Sequence, residues 1–219
     1  MAHRTAPLTR RIFGILHFTG RAAFALAAGG ACLAATAATV TASVTDKAGR
    51  PLPGAVVMLE PIGAKLAVKP MTGIEISQKK KTFIPDVTVV TVGTPVTFPN
   101  LDTVRHHVYS FSPAKTFELK LYAGTPSAPV VFDKAGIAVI GCNIHDQMMA
   151  WVVVVDTPYY ARSGADGSAR LEGVAAGSYR MRAWQAGLAA DAQLPSVAVD
   201  VAAGEVAAPI RLDVAGGAP

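Results

Sequence analysis

The chain has 219 residues, 51% of them hydrophobic and only 16% charged, with 20 glycines, 15 prolines, two cysteines and five histidines. Its apolar content excludes a disordered chain, and two cysteines at this length exclude a disulfide-stapled miniature; the length fits one medium domain or two small ones. The formal charge of +5 would suit a nucleic-acid binder, but the charge is concentrated at one end.

Residues 1–37 hold Arg4, Arg10, Arg11 and Arg21 and no acid, followed by the alanine-rich apolar stretch from Ala22 to Ala37 and the small-x-small pattern Ala35-Thr36-Ala37. A charged start, an apolar run and small residues at the end are the parts of a bacterial export signal. Removing those four arginines from the 20 basic residues leaves 16 against 15 acidic, a net charge of +1, so nucleic acid is not an expected partner. Thr9-Arg10-Arg11-Ile12-Phe13 resembles a twin-arginine signal, which leaves that route and the general secretory route both open. A periplasmic protein without stable membrane insertion is expected. The alternative is an uncleaved anchor, for which the alanine-rich run is short and weakly apolar. Cleavage would also remove Cys32, His3 and His17. The mature chain then keeps Cys142, His106, His107 and His145, all in one stretch. A lone thiol in an oxidising compartment is expected to be buried or metal-bound.

Beyond residue 38 the sequence predicts strands at Val40–Thr45, Ala55–Glu60, Val87–Val92, Pro95–Phe98, His107–Ser112, Val130–Phe132, Ile137–Ile140 and Trp151–Val155. Further strands are expected at Ala169–Leu171, Tyr179–Trp184, Ser196–Val201 and Ala208–Val214. Turn residues separate them, as in Asp46-Lys47-Ala48-Gly49, Val92-Gly93-Thr94 and Ala165-Asp166-Gly167. Many short strands at near-regular spacing make the chain all-β, a sandwich or barrel.

The run Val40 to Val57, with Asp46-Lys47-Ala48-Gly49 and Pro51-Leu52-Pro53-Gly54 inside it, resembles the opening of carboxypeptidase-regulatory-like domains. The continuation such domains usually show is missing after Glu60. It stands instead at Asp166-Gly167-Ser168-Ala169-Arg170-Leu171 and Gly177-Ser178-Tyr179-Arg180-Met181. The resemblance implies one small immunoglobulin- or prealbumin-like sandwich, residues 38–65 and 157–215, interrupted by a central insert at 66–156. Two unrelated β elements flanking a central domain are the alternative. Lys79, Lys80 and Lys81 read as a solvated loop or a guarded sheet edge, or else as a docking patch for an acidic partner.

The chemistry lies in Cys142-Asn143-Ile144-His145-Asp146-Gln147-Met148, a C-x2-H-x2-M pattern, with Arg105-His106-His107-Val108 upstream. A thiolate, two imidazoles and a thioether suit copper: two His, one Cys and a weak axial Met describe a trigonal blue-copper electron-transfer site. One tight loop supplies three donors and a strand some 36 positions earlier supplies the fourth. Pinning a loop to a distant strand makes a rigid cage.

These residues, together with Val89 through Asp102, are similar to cupredoxins, with the loop spacing of amicyanin and pseudoazurin. The likeness covers roughly residues 75–156. The whole chain also resembles plastocyanin-like proteins often labelled methylamine-utilisation proteins. The resemblance implies a Greek-key cupredoxin sandwich holding one copper ion through His106, Cys142, His145 and Met148. Aligned on Val108, His106 takes the ligand position and His107 that of an Asn which usually braces the ligand loop. Period-two alternation likewise puts His106 with Val108 on one face and His107 on the other. His107 remains the other candidate, as Met149 does for Met148. His107 and Asn143 are expected around the ligands rather than among them. Asp146 departs from the Pro common in short-loop relatives.

The expected function is an exported mononuclear carrier of single electrons, not an enzyme, with a redox protein as partner. Copper storage or chaperoning with the same ligands is an alternative, as is a binding or structural module whose copper is not redox-active. An oxidase would need further histidines for a second copper centre, and the mature chain has none.

Overall fold

Strands dominate because β-branched residues alternate with polar ones between closely spaced turns. The computed structural model describes residues 37–189 and 192–214, so the expected export segment lies outside the described residues apart from residue 37. Among the described residues no helix is long and apolar enough to cross a membrane. The elements are β1 (Ala38–Thr45), β2 (Val56–Pro61), β3 (Ile74–Glu75), β4 (Ser77–Gln78), β5 (Phe83–Ile84), β6 (Val87–Thr91), β7 (Thr94–Thr97), β8 (His106–Ser112) and β9 (Lys115–Tyr122). They continue with β10 (Val130–Phe132), β11 (Gly136–Cys142), β12 (Met149–Val155), β13 (Tyr160–Arg162), β14 (Ser168–Val174), β15 (Gly177–Trp184), β16 (Ser196–Val201) and β17 (Glu205–Arg211). The protein is all-β.

Four sheets carry the architecture. The orders are β14-β1-β17, β13-β2-β15-β16, β6-β12-β11-β8-β9 and β10-β7-β3, with β4 and β5 forming a separate short hairpin. The first two sheets enclose a core of Val40, Ala42, Val57, Leu59, Leu171, Met181, Ile210 and their neighbours, drawn from residues 38–59 and 169–214. The last two enclose a second core of Val90, Phe98, Val108, Phe132, Ile140, Val152 and neighbours, drawn from residues 76–154. A third cluster, Val56, Met58, Val87, Val153, Val155 and Trp184, lies between them.

Strands β2 and β12 explain how these layers join. In β2, Val57 and Leu59 enter the first core while Val56 and Met58 enter the third cluster. In β12, Val152 and Val154 enter the second core while Val153 and Val155 enter the third cluster. Both strands are therefore buried on two faces. That is why they read as unbroken apolar runs, Val-Val-Met-Leu and Val-Val-Val-Val, rather than as alternating ones.

Three differences from the sequence reading have physical causes. Strand β9 was not expected, because Lys115-Thr116-Phe117-Glu118-Leu119-Lys120 is half charged. It forms the edge of the five-stranded sheet, where charged side chains are tolerated. The last strand was expected at Ala208–Val214 and instead spans Glu205–Arg211. Its parallel pairing to β1, Thr39 opposite Glu205 through Thr45 opposite Arg211, sets those bounds. Short β3, β4, β5 and β13 also escaped notice, each being too brief for a period to show.

Gly167 opens β14 with φ +74°, and a Cβ there would stand 2.5 Å from the Val44 carbonyl oxygen. Only glycine permits that close approach of the turn to β1.

Candidate metal centre

The site is built where β8, β11 and β12 meet. Strands β8 and β11 pair antiparallel, with Gly141 opposite Tyr109 and Cys142 opposite Val108. The Asn143 N–H then donates to the His107 carbonyl at 3.0 Å, so the loop stays tied to β8 for one more residue. Beyond it the chain turns back, the Met148 N–H donating to the His145 carbonyl at 2.9 Å, and enters β12. This short return carries the His145 ring over the start of β8. The ring centroids of His106 and His145 are 5.1 Å apart with an interplanar angle of 61°. Gly141 is a close-packing glycine: a Cβ there would stand 2.9 Å from the Tyr109 ring.

His106, Cys142 and His145 form the cluster, their donor atoms all within 4.8 Å of one another. His106 Nδ1 lies 3.7 Å from Cys142 Sγ. Cys142 and His106 are buried and His145 is half-buried. The other nitrogen of His106, Nε2, is 2.9 Å from Asp102 Oδ2. His145 Nδ1 is buried and has no hydrogen-bond partner. A buried imidazole nitrogen left unanswered beside a thiol and a second imidazole is an arrangement that a metal ion satisfies. The donor set of two imidazoles and one sulfur fits copper.

Met148 is buried in the same core as Cys142, and both line an open groove beside the site with Tyr109, Gly141 and Asp146. Met149 is exposed. His107 stands outside the cluster. Its Nε2 lies 2.8 Å from Glu118 Oε1 on β9, and its ring packs edge-on at 6.4 Å from Tyr109. Asn143 is exposed and contributes the backbone bond described above.

Two groups near the site were missed in the sequence. Asp102 accepts from the Lys80 N–H at 2.6 Å and the Lys81 N–H at 2.9 Å besides contacting His106. The Lys81 amide, helped by His106 and the Lys80 amide, holds its carboxyl below the usual range against the opposing effect of burial. The only signal was an acid four residues before His106, which reads equally well as a turn former. Tyr122, opposite His106 in the β8–β9 pairing, donates to the Phe98 carbonyl at 2.7 Å. Burial pushes its phenol up to about 12, with the Gln78 amide opposing. Asn100 Nδ2 donates to the Val104 and Tyr122 carbonyls at 2.8 and 3.0 Å, and its Oδ1 accepts from the Asp102 N–H at 2.9 Å. These bonds fix the loop leading into β8.

The cluster in this all-β fold draws His106 from the start of β8, Cys142 from the end of β11 and His145 from the loop that follows. Solved structures that match include a purple cupredoxin from Nitrosopumilus maritimus, at 22% identity over 38% of this chain and 100% of that one, with a TM-score of 0.34. A variant of amicyanin in the reduced state matches at 23% identity over 38% of this chain and 83% of that one, with a TM-score of 0.33. A copper-containing nitrite reductase from Thermus scotoductus matches at 22% identity over 52% of this chain but 28% of that one, with a TM-score of 0.37. A family model described as polysaccharide lyase family 4, domain II matches residues 134–208, less than half of the chain. No curated protein matches.

Proposed function

We propose that the protein is an exported carrier of single electrons, binding one copper ion through His106 Nδ1, His145 Nδ1 and Cys142 Sγ with Met148 as a weak fourth donor. The observation that carries this reading is the unanswered, buried His145 Nδ1 in a cluster whose donor atoms lie within 4.8 Å of one another. Copper held there supplies a one-electron couple stabilised in both oxidation states by mixed imidazole and thiolate donors.

The chain's own residues do the rest. Paired strands β8 and β11 keep the His106 and Cys142 donors at a fixed separation, so little rearrangement accompanies a change of charge. Burial of Cys142 keeps water and oxidants from the thiolate. Half-buried His145 offers the way in and out for an electron. The loop leading into β8 and the loop that carries His145 expose Leu101, Val104 and Ile144, which suit a transient apolar contact with a redox protein. Around this centre, residues 38–65 and 157–215 are proposed to form a carboxypeptidase-regulatory-like sandwich that frames a cupredoxin domain at 66–156. The first core, shared between 38–59 and 169–214, supports that division.

Adding Cu(II) to the purified protein is expected to give an intense thiolate-to-metal band in the visible. The band should bleach with ascorbate, return on reoxidation, and be lost in Cys142→Ser. A folded protein that takes up copper without such a band would overturn the carrier reading in favour of storage or a structural role.

A further inference from the structure

The three consecutive lysines find no role in the proposed electron transfer, yet their backbone points at the site. Lys79 and Thr82 close a two-residue hairpin between β4 and β5, the Lys79 N–H donating to the Thr82 carbonyl at 3.0 Å and the Thr82 N–H to the Lys79 carbonyl at 3.2 Å. The two residues at its tip, Lys80 and Lys81, have φ of 54° and 57°. That is the left-handed region twice in succession, the shape of a turn that ordinarily selects Asn-Gly. Both lysine side chains are exposed. What the turn accomplishes inside the protein is to aim two successive amides at one carboxylate, Lys80 N–H to Asp102 Oδ1 and Lys81 N–H to Asp102 Oδ2. Successive N–H groups in a turn make a concave anion site.

We infer that Asp102, gripped by the Lys80-Lys81 turn, is the positioning residue that holds His106 in the tautomer able to bind metal. An ionised carboxylate only accepts hydrogen bonds, and a neutral imidazole carries one N–H. With Asp102 Oδ2 at 2.9 Å from Nε2, the proton sits on Nε2. Nδ1, the nitrogen 3.7 Å from Cys142 Sγ, is left with a free lone pair. The carboxylate cannot swing away to solvent, because both oxygens are held by the turn and its own N–H is tied to Asn100 Oδ1 at 2.9 Å. Ligating histidines commonly donate their second nitrogen to such a carboxylate, and losing that outer partner weakens metal binding about 10- to 100-fold. The role of the lysine run is thus carried by its backbone, and a charged docking patch is not required to explain it.

This inference rests on the proposed metal centre, and its test separates the two. Nitrogen-15 NMR of the metal-free full chain at mildly alkaline pH reads the His106 tautomer without any metal, while competition titration reads copper affinity. The wild type is expected to show Nε2–H. Asp102→Ala removes the acceptor that Nε2 faces, so it should release the proton to populate Nδ1–H and lower copper affinity about 10- to 100-fold. The double variant K80N/K81G keeps both amides in a turn of preferred sequence, and should keep both the tautomer and the affinity. An Nδ1–H tautomer in the wild type overturns the inference with no variant needed. So does an Asp102→Ala protein that binds copper as tightly as the wild type with its tautomer unchanged. A K80N/K81G protein that loses affinity while keeping the tautomer moves the effect to the ammonium charges and overturns the part assigned to the turn. If copper fails to bind the wild type at all while the tautomer follows Asp102 as described, the positioning role stands and the metal reading is what falls.

Discussion

The two β regions share a fold class and differ in whether an unanswered buried polar group stands beside other donors. In the region built on residues 38–59 and 157–214, Asp46, Thr157, Ser163 and Gln185 are buried, and each closes on nearby backbone. Thr157 Oγ1 donates to the Leu59 carbonyl. Ser163 Oγ donates to the Leu52 carbonyl and accepts from the Ala55 N–H, while Gln185 Oε1 accepts from the Gly187 N–H. Asp46 takes the Ala48 and Arg50 amides and, from a side chain, the Arg50 guanidinium. In the region of residues 71–155, buried Thr91, Asn100 and Ser110 likewise close on backbone, while Gln78, His106 and His107 reach other side chains: Tyr122, Asp102 and Glu118. Four buried side-chain atoms among the described residues lack a partner: Gln78 Oε1, Thr88 Oγ1, His145 Nδ1 and Arg182 Nε. Of these, His145 Nδ1 alone belongs to the three-residue donor cluster. Polar groups that answer the backbone build a scaffold; a group left unanswered beside other donors marks a site.

The largest expected effect breaks the scaffold and spares the site. Leu59 is fully buried in the first core, so Leu59→Ala should cost about 2–5 kcal/mol of stability in denaturant unfolding. Copper affinity of the protein that remains folded should be unchanged, because no ligand strand passes through that core. A matching fall in affinity at low denaturant would show that the two regions are coupled through the third cluster.

The next effect runs the other way. His106→Ala removes a donor atom and should lower copper affinity by more than the roughly 100-fold that an outer partner commands. His107→Ala removes a ring paired with the half-exposed carboxylate of Glu118, an interaction worth about 0–1 kcal/mol, and should leave affinity nearly unchanged. Equal losses in the two variants would contradict the separate placement of their rings. Competition titration with a chromophoric chelator distinguishes these outcomes.

How far all this could be read in the sequence differs by element for physical reasons. His106, Cys142, His145 and Met148 stand out because donor residues are scarce in this chain and fall in one stretch. Alternation also separates His106 from His107, as their different partners reflect. Asp102 was hidden, since an acid among Asn100, Leu101 and Thr103 looks like any turn residue until the amides of a distant hairpin are seen to grip it. The Lys80-Lys81 turn was hidden more deeply. Backbone shape cannot be inferred where the residues present are ones that the turn type disfavours. Strands β2 and β12 were legible as strands, but burial on both faces depends on a layer contributed from elsewhere in the chain.

The smallest effect sharpens the comparison through pH. Burial alone would raise the Asp46 carboxyl, but the Arg50 amide and guanidinium and the Ala48 amide outweigh it and hold it below its ordinary value. A carboxylate lowered in the folded state stabilises the protein above its unfolded value near 3.8, and that contribution disappears as pH falls through the lower folded value. Unfolding followed from about pH 5 downward should therefore show stability declining with acid, and Asp46→Asn should flatten part of that decline while lowering stability at neutral pH. The same titration monitored at the tryptophans tells where the loss begins, because Trp184 lies in β15 beside the first region and Trp151 lies in β12 on the second, with ring centroids 6.2 Å apart. Replacing each in turn by Phe leaves one reporter. If Asp46 acts only on the scaffold, the Asp46→Asn change should appear with Trp184 as reporter at least as early as with Trp151, while copper affinity at neutral pH stays the same. An altered affinity at neutral pH would mean that the scaffold's turn chemistry reaches the site, and that closing on backbone does not isolate a buried group.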